Sequence, residues 1–180
     1  MKKTIIYYYS KSGNNDYLAR KIAKTLKCDI ERLQPKMKSV PLMMLGSLIG
    51  LGPRLAKLKN DPSKYDEVIA CGPIWVGKIA SPVDKFIKKN IKNIKSLSCI
   101  TCCGIPDERK DEKLGYGKIF SNLKSDYGKK LNVCKAFSIA YAIPEDKRDD
   151  KDAAMKTKLS DDNFKGILKE KLDDFVKEIK

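Results

Sequence analysis

Thr4-Ile5-Ile6-Tyr7-Tyr8-Tyr9-Ser10-Lys11-Ser12-Gly13-Asn14-Asn15 reads as an apolar strand that breaks into a polar turn. The segment after it repeats apolar residues at helical spacing, with Leu18, Ile22 and Leu26 flanked by Ala19 and Ala23. A strand, a tight turn and a helix in that order bring backbone N–H groups and the positive end of a helix dipole to one spot, which suits an anion. Ser10, Ser12, Asn14 and Asn15 supply neutral donors, Lys11 supplies charge, and Gly13 permits a positive φ or a close approach. The turn is neither GxGxxG nor GxxxxGKS/T, so it signals neither a dinucleotide fingerprint nor a P-loop. A phosphate cradle and an ordinary βα turn both fit these residues.

Working outward, strands and helices keep alternating. Cys28 to Leu33 is a short polar strand, suited to a sheet edge. Tyr65 to Gly72 is a buried strand, followed by the small-residue loop Gly72-Pro73-Ile74-Trp75-Val76-Gly77-Lys78-Ile79-Ala80. Ser81-Pro82 then has the form of a helix start, serine as cap and proline at the first position. Leu97 to Gly104 and Val133 to Ala142 are further strands, and Leu114 to Lys130 holds a weaker helix between them. A charged stretch from Glu145 to Lys158 leads to a terminal helix with Ser160 as its cap and Phe164, Leu168, Leu172, Phe175 and Ile179 as its stripe. Five strands in βα order predict an α/β fold, a doubly wound parallel sheet with helices on both faces. Neither a linker nor a repeat interrupts residues 1–180, which read as a single domain.

The chain has 38 Lys and Arg against 23 Asp and Glu, a formal charge of +15, spread along its length without a basic block or interleaved aromatics. Lysines solvating every helix explain this better than a nucleic-acid interface does. Histidine is absent, which excludes Ser–His and Cys–His catalysis. The six cysteines read as reduced core residues of a cytoplasmic protein, since the strand begins too early for a secretory leader. Cys99 and Cys102 have CxxC spacing, but three residues apart on a strand they point to opposite faces and serve neither a dithiol nor a metal. The apolar run between Pro41 and Pro53 falls short of the about 20 residues a membrane span needs. It reads as a partly helical cover, with a membrane-surface or dimerisation patch as the alternative.

Four stretches together resemble the flavodoxins and flavodoxin-like FMN proteins over essentially the whole chain. Ser10 to Asn15 is similar to their Ser/Thr-x-Ser/Thr-Gly-x-Ser/Thr phosphate loop. Tyr65 to Gly77 resembles their strand and tryptophan loop, Ala80 to Phe86 the helix start that follows, and Cys99 to Gly104 stands at their third flavin-contacting loop. The resemblance implies strand order 2-1-3-4-5, with FMN beyond the carboxyl ends of strands 1, 3 and 4. It assigns the FMN phosphate to Ser10, Lys11, Ser12, Gly13, Asn14 and Asn15. The isoalloxazine falls to Pro73, Ile74, Trp75, Val76, Gly77 and Lys78 on one side and to Cys102, Cys103 and Gly104 on the other. Asn15 replaces the usual hydroxyl residue, and Gly72-Pro73 lacks an intervening threonine.

The implied function is FMN-based electron transfer, with an FMN-dependent NAD(P)H oxidoreductase as the variant. Cationic surroundings favour the reduced, anionic flavin and an acidic partner, ferredoxin-like or a reductase. A flavin-free basic binding module is the reading of another class.

Overall fold

The computed structural model describes residues 2–113, 115–148 and 151–179. In chain order its elements are β1 (Thr4–Tyr8), α1 (Asn14–Leu26), β2 (Asp29–Arg32), α2 (Val40–Leu48), β3 (Glu67–Cys71), β4 (Ile74–Trp75), β5 (Lys78–Ile79), α3 (Ser81–Asn90), β6 (Leu97–Cys103), α4 (Tyr116–Tyr127), β7 (Leu131–Ser138), α5 (Lys151–Lys156) and α6 (Ile167–Ile179). Every residue of β1 is buried, because alternate side chains serve opposite faces. Ile6 and Tyr8 enter one core, whereas Ile5 and Tyr7 enter the other. A strand buried on both sides needs cover on both, and α1 and α6 supply one layer while α3 and α4 supply the second.

The sheet has five parallel strands in the order β2-β1-β3-β6-β7. Counted along the chain within the sheet, that is 2-1-3-4-5, the order the resemblance implied. β2 is the polar edge expected of it, and its Glu31 accepts hydrogen bonds from the backbone of Lys59 and Asn60 at 2.8 and 2.9 Å. Cys99 and Cys102 belong to opposite cores, as the strand period requires, and all six thiols are free.

Four expectations need correction. The strand from Val133 ends at Ser138, whose hydroxyl accepts from Ala140 N–H and turns Ile139–Ala142 into a 3-10 turn. Ser81 is not the cap of α3; Ala80 holds that position, and the Ser81 hydroxyl donates to Met43 O at 2.7 Å. The terminal helix starts at Ile167, not at Ser160, because Gly166 takes φ +54° between the Ser160 turn and the helix. The region around Trp75 is no open loop but a small antiparallel hairpin of β4 and β5. The expected start of the fourth helix at Leu114 lies outside the described residues, and α4 itself begins at Tyr116.

Phe175 is fully buried on α6, in the core cluster that also holds Phe137 of β7. Phe175→Ala is expected to cost about 3–5 kcal/mol. It should lower the urea midpoint while leaving the slope of the transition unchanged.

Candidate functional site

The five strands of the main sheet run the same way, so the turns after β1, β3 and β6 meet at its carboxyl edge. The turn after β1 is held from within: the Ser10 hydroxyl is buried and accepts from Gly13 N–H at 3.1 Å. Gly13 has φ +100°, and a Cβ there would meet nothing within 4 Å, so the backbone lies open. No side chain among the described residues caps α1. Its first intrahelical bond is Tyr17 N–H to Gly13 O, which leaves the N–H groups of Asn14, Asn15 and Asp16 beyond the helical ladder.

Two cations flank this turn without belonging to it in sequence. Arg32, at the end of β2, donates to Ser10 O at 3.1 Å. Lys158 donates its Nζ to Ser12 O. No motif marks either residue. Arg32 sits in a strand beside charged neighbours, and Lys158 ends a charged stretch that carries no pattern. Lys158 is brought in by Asn14, whose amide donates to Thr157 O at 3.1 Å and accepts from Leu159 N–H at 3.0 Å. Lys21 and Tyr17 anchor the same strap through Asp161, and those contacts hold the Asp161 carboxyl below its ordinary range.

Asn15 turns inward. It is buried, its Nδ2 donates to Cys102 O at 3.1 Å, and its Oδ1 accepts from Cys102 N–H at 2.8 Å. The Asn14 and Asn15 amides are therefore spent on the fold, and what these residues offer an anion is backbone. Lys11, Ser12 and Gly13 form the exposed rim.

The hairpin of β4 and β5 carries the second group. Val76 and Gly77 form its two-residue turn with φ +49° and +71°, the sign a type I′ turn requires at both positions. Valine is a poor residue for such a φ, so the tip is strained. Trp75 is half-buried, and its indole meets the Tyr9 ring edge-on, with centroids 5.6 Å apart and planes at 85°. Pro73 O accepts from Ala80 N–H at 2.9 Å and closes the base of the hairpin. Lys78 leaves the group, since its Nζ donates to Leu48 O at 2.8 Å.

Between the hairpin and the end of β6 is a cavity of about 220 Å³, lined by Ile74, Val76, Gly77, Cys103, Gly104, Ile105 and Tyr116. Its volume is below the roughly 300–1,000 Å³ of pockets that swallow a ligand whole. It suits one end of a flat ring. A Cβ at Gly104 would meet nothing within 4 Å, so this wall is also open backbone. Cys102 faces the core instead, and burial raises its thiol well above the ordinary range. Burial pushes the Cys103 thiol up to about 11, so neither is a thiolate at neutral pH. Tyr116 completes the wall. Its hydroxyl donates to Asp107, whose other carboxylate oxygen pairs with Lys171 at 2.6 Å, and burial with that contact raises the phenol.

A family model described as a flavodoxin domain matches residues 53–143, just over half of the chain, and the chain belongs to that family. The matched span holds the hairpin and the end of β6; the Ser10–Asn15 turn precedes it. No curated protein matches the chain. Among solved structures, the flavoprotein of Lactobacillus acidophilus in complex with FMN is 20% identical, with 76% of this chain and 93% of that chain covered and a TM-score of 0.60. A Bacteroides eggerthii protein assigned as a flavoprotein is 17% identical over 76% of this chain and 89% of its own, with a TM-score of 0.62. At these identities the likeness is one of fold.

Two outcomes test this geometry. Asn15→Ala strands the buried N–H and O of Cys102 and is expected to cost about 1–3 kcal/mol in chemical denaturation. Val76→Asn supplies the Asn-Gly pair that a type I′ turn prefers. It should stabilise the protein by about 1 kcal/mol, raising Tm by roughly 2–4 °C.

Proposed function

We propose that this chain binds FMN at the carboxyl edge of the sheet and works as an electron-transfer protein. One observation carries the reading: an open helix N-terminus with a glycine at φ +100° is joined through Asn15 and Cys102 to the strand whose end, with Ile74, Val76 and Gly77 of the hairpin, walls a cavity fit for one end of a flat ring. The donor set fits a mononucleotide. Backbone N–H groups of Asn14, Asn15 and Asp16 and the Ser12 hydroxyl would receive the phosphate, with Lys158, Arg32 and Lys11 supplying positive charge. Ile74, Val76, Gly77, Cys103, Gly104 and Tyr116 would hold the ring, with Trp75 backing the hairpin against Tyr9. The family and the FMN-bound Lactobacillus acidophilus relative support the same choice of ligand.

When bound, FMN accepts and returns electrons, and the protein binds, orients and tunes it. The hairpin and the Gly104 wall bring apolar side chains and bare backbone to the ring. The turn after β1 brings positive charge to the phosphate end. The +15 charge of the chain supports an acidic redox partner, drawn in by electrostatic steering.

The test is the visible spectrum of the purified chain titrated with FMN, then exposed under argon to NADH and NADPH. A bound flavin that stays oxidised with both nucleotides is expected; bleaching by either makes the protein a reductase. Absence of FMN uptake overturns the reading in favour of a flavin-free binding module. Lys158→Glu is expected to weaken FMN binding about tenfold, a loss of about 1.4 kcal/mol, while binding of riboflavin, which lacks the phosphate, stays unchanged in the same fluorescence titration.

A further inference from the structure

The apolar run between Pro41 and Pro53 finds a definite form. α2 buries Met43 and Ser47, and these two pin it down: Ser47 Oγ accepts from Ser81 N–H at 2.9 Å, and Met43 O accepts from the Ser81 hydroxyl. The chain beyond the helix is also held close, because a Cβ at Gly52 would strike the Lys85 side chain at 2.4 Å and Ser81 O at 2.8 Å. Fixing that inner face sends the other outward. Leu42 is 54% exposed, Leu45 53%, Ile49 63% and Leu51 66%. Leu42, Leu45 and Ile49 follow the i, i+3, i+7 spacing of one helical face.

The sequence on either side of α2 is basic, while the groove beside Ser47 and Gly50 also holds Asp84 and Asp126. Lys36, Lys38, Arg54, Lys57 and Lys59 are the only charged residues between Arg32 and Asp61, and all are exposed. The two flanks meet at a neck, where Lys36 N–H donates to Arg54 O at 2.8 Å and Pro35 bridges Leu55. A groove of about 500 Å³ at the same neck sets Lys11, Arg32 and Lys38 beside Met37 and Met43.

We infer that residues 36–54 dock this protein onto an anionic bilayer surface, with the aliphatic side chains entering the headgroup boundary and the lysines meeting lipid phosphates. Charge complementarity selects this occupant. A second copy would set like-charged flanks against each other. An acidic protein interface would be expected to present aromatic or arginine anchors, whereas the projecting residues are leucine and isoleucine. Four of the five flanking cations are lysines, point charges suited to diffuse headgroup charge and without the guanidinium fork that pairs with one carboxylate. No helix among the described residues is long and apolar enough to cross a membrane, so the attachment is to one face of the bilayer.

The experiment is flotation of the full chain with phosphatidylcholine vesicles, with and without phosphatidylglycerol, and its outcome does not depend on FMN. Binding to the anionic vesicles alone is expected. The triple variant Leu45→Ser, Ile49→Ser, Leu51→Ser changes only exposed side chains and should lower that binding at least about tenfold, with the far-UV spectrum unchanged. Lys36→Glu with Lys38→Glu should lower it as well. Failure to float with anionic vesicles overturns the inference, as does anionic binding that survives the triple variant. A dimer in sedimentation equilibrium that the triple variant dissociates would assign the face to a second copy instead.

Discussion

The two hydrogen bonds between Asn15 and the backbone of Cys102 are the constraint on which the candidate site depends. An asparagine amide offers a donor and an acceptor side by side, which is what one residue of an exposed strand end needs. Here it completes the end of β6 from the first turn of α1. The turn after β1 and the turn after β6 come from sequence positions 87 residues apart, yet they are fixed to one another by one buried side chain. A hydroxyl residue in that place would have to meet both groups through a single oxygen on a shorter side chain. The proposed phosphate end and ring end of the site are thereby held at a set spacing.

The same residue pair explains how a site can be built from bare backbone. Asn14 turns outward to hold Thr157 and Leu159, and Asn15 turns inward to hold Cys102. With both amides committed, the anion-facing groups are main-chain N–H dipoles, fixed in place before a ligand arrives. Positive charge comes from elsewhere in the chain, through Arg32 and Lys158. Each of these is bound to a loop carbonyl, which neutralises the groups most hostile to an anion.

The parallel sheet and both covering layers were legible because they follow from the two periods, 2 for the strands and 3.6 for the helices, whereas the strand order was legible only through the family resemblance. The turn after β1 and the Trp75 segment were legible because a glycine amid hydroxyl and amide residues, and the single tryptophan, stand out against their neighbours. Three things were hidden. The hairpin was hidden because Val76-Gly77 is an unusual type I′ pair, read as loop where Asn-Gly would have announced a turn. The late start of α6 was hidden because Ser160 with Asp161 and Asp162 imitates a cap, while the residue that decides is Gly166. Lys158 and Arg32 were hidden because a cation on a loop carbonyl is a tertiary contact that leaves no local trace.

The exposed face of α2 and the strained hairpin join these features into one edge. Lys78 follows the Val76-Gly77 turn and reaches Leu48 O, at the end of the face that projects Leu45 and Ile49. The wall of the ring cavity is thus tied by one flexible side chain to the most apolar part of the surface. On the far side, Tyr116, Asp107 and Lys171 fix the opposing wall in a chain of charge-assisted contacts. One wall is rigid by ion pairing, and the other rests on a two-residue turn with unfavourable dihedrals. The hairpin wall is thus the less braced of the two, and Lys78 is its link to the α2 face.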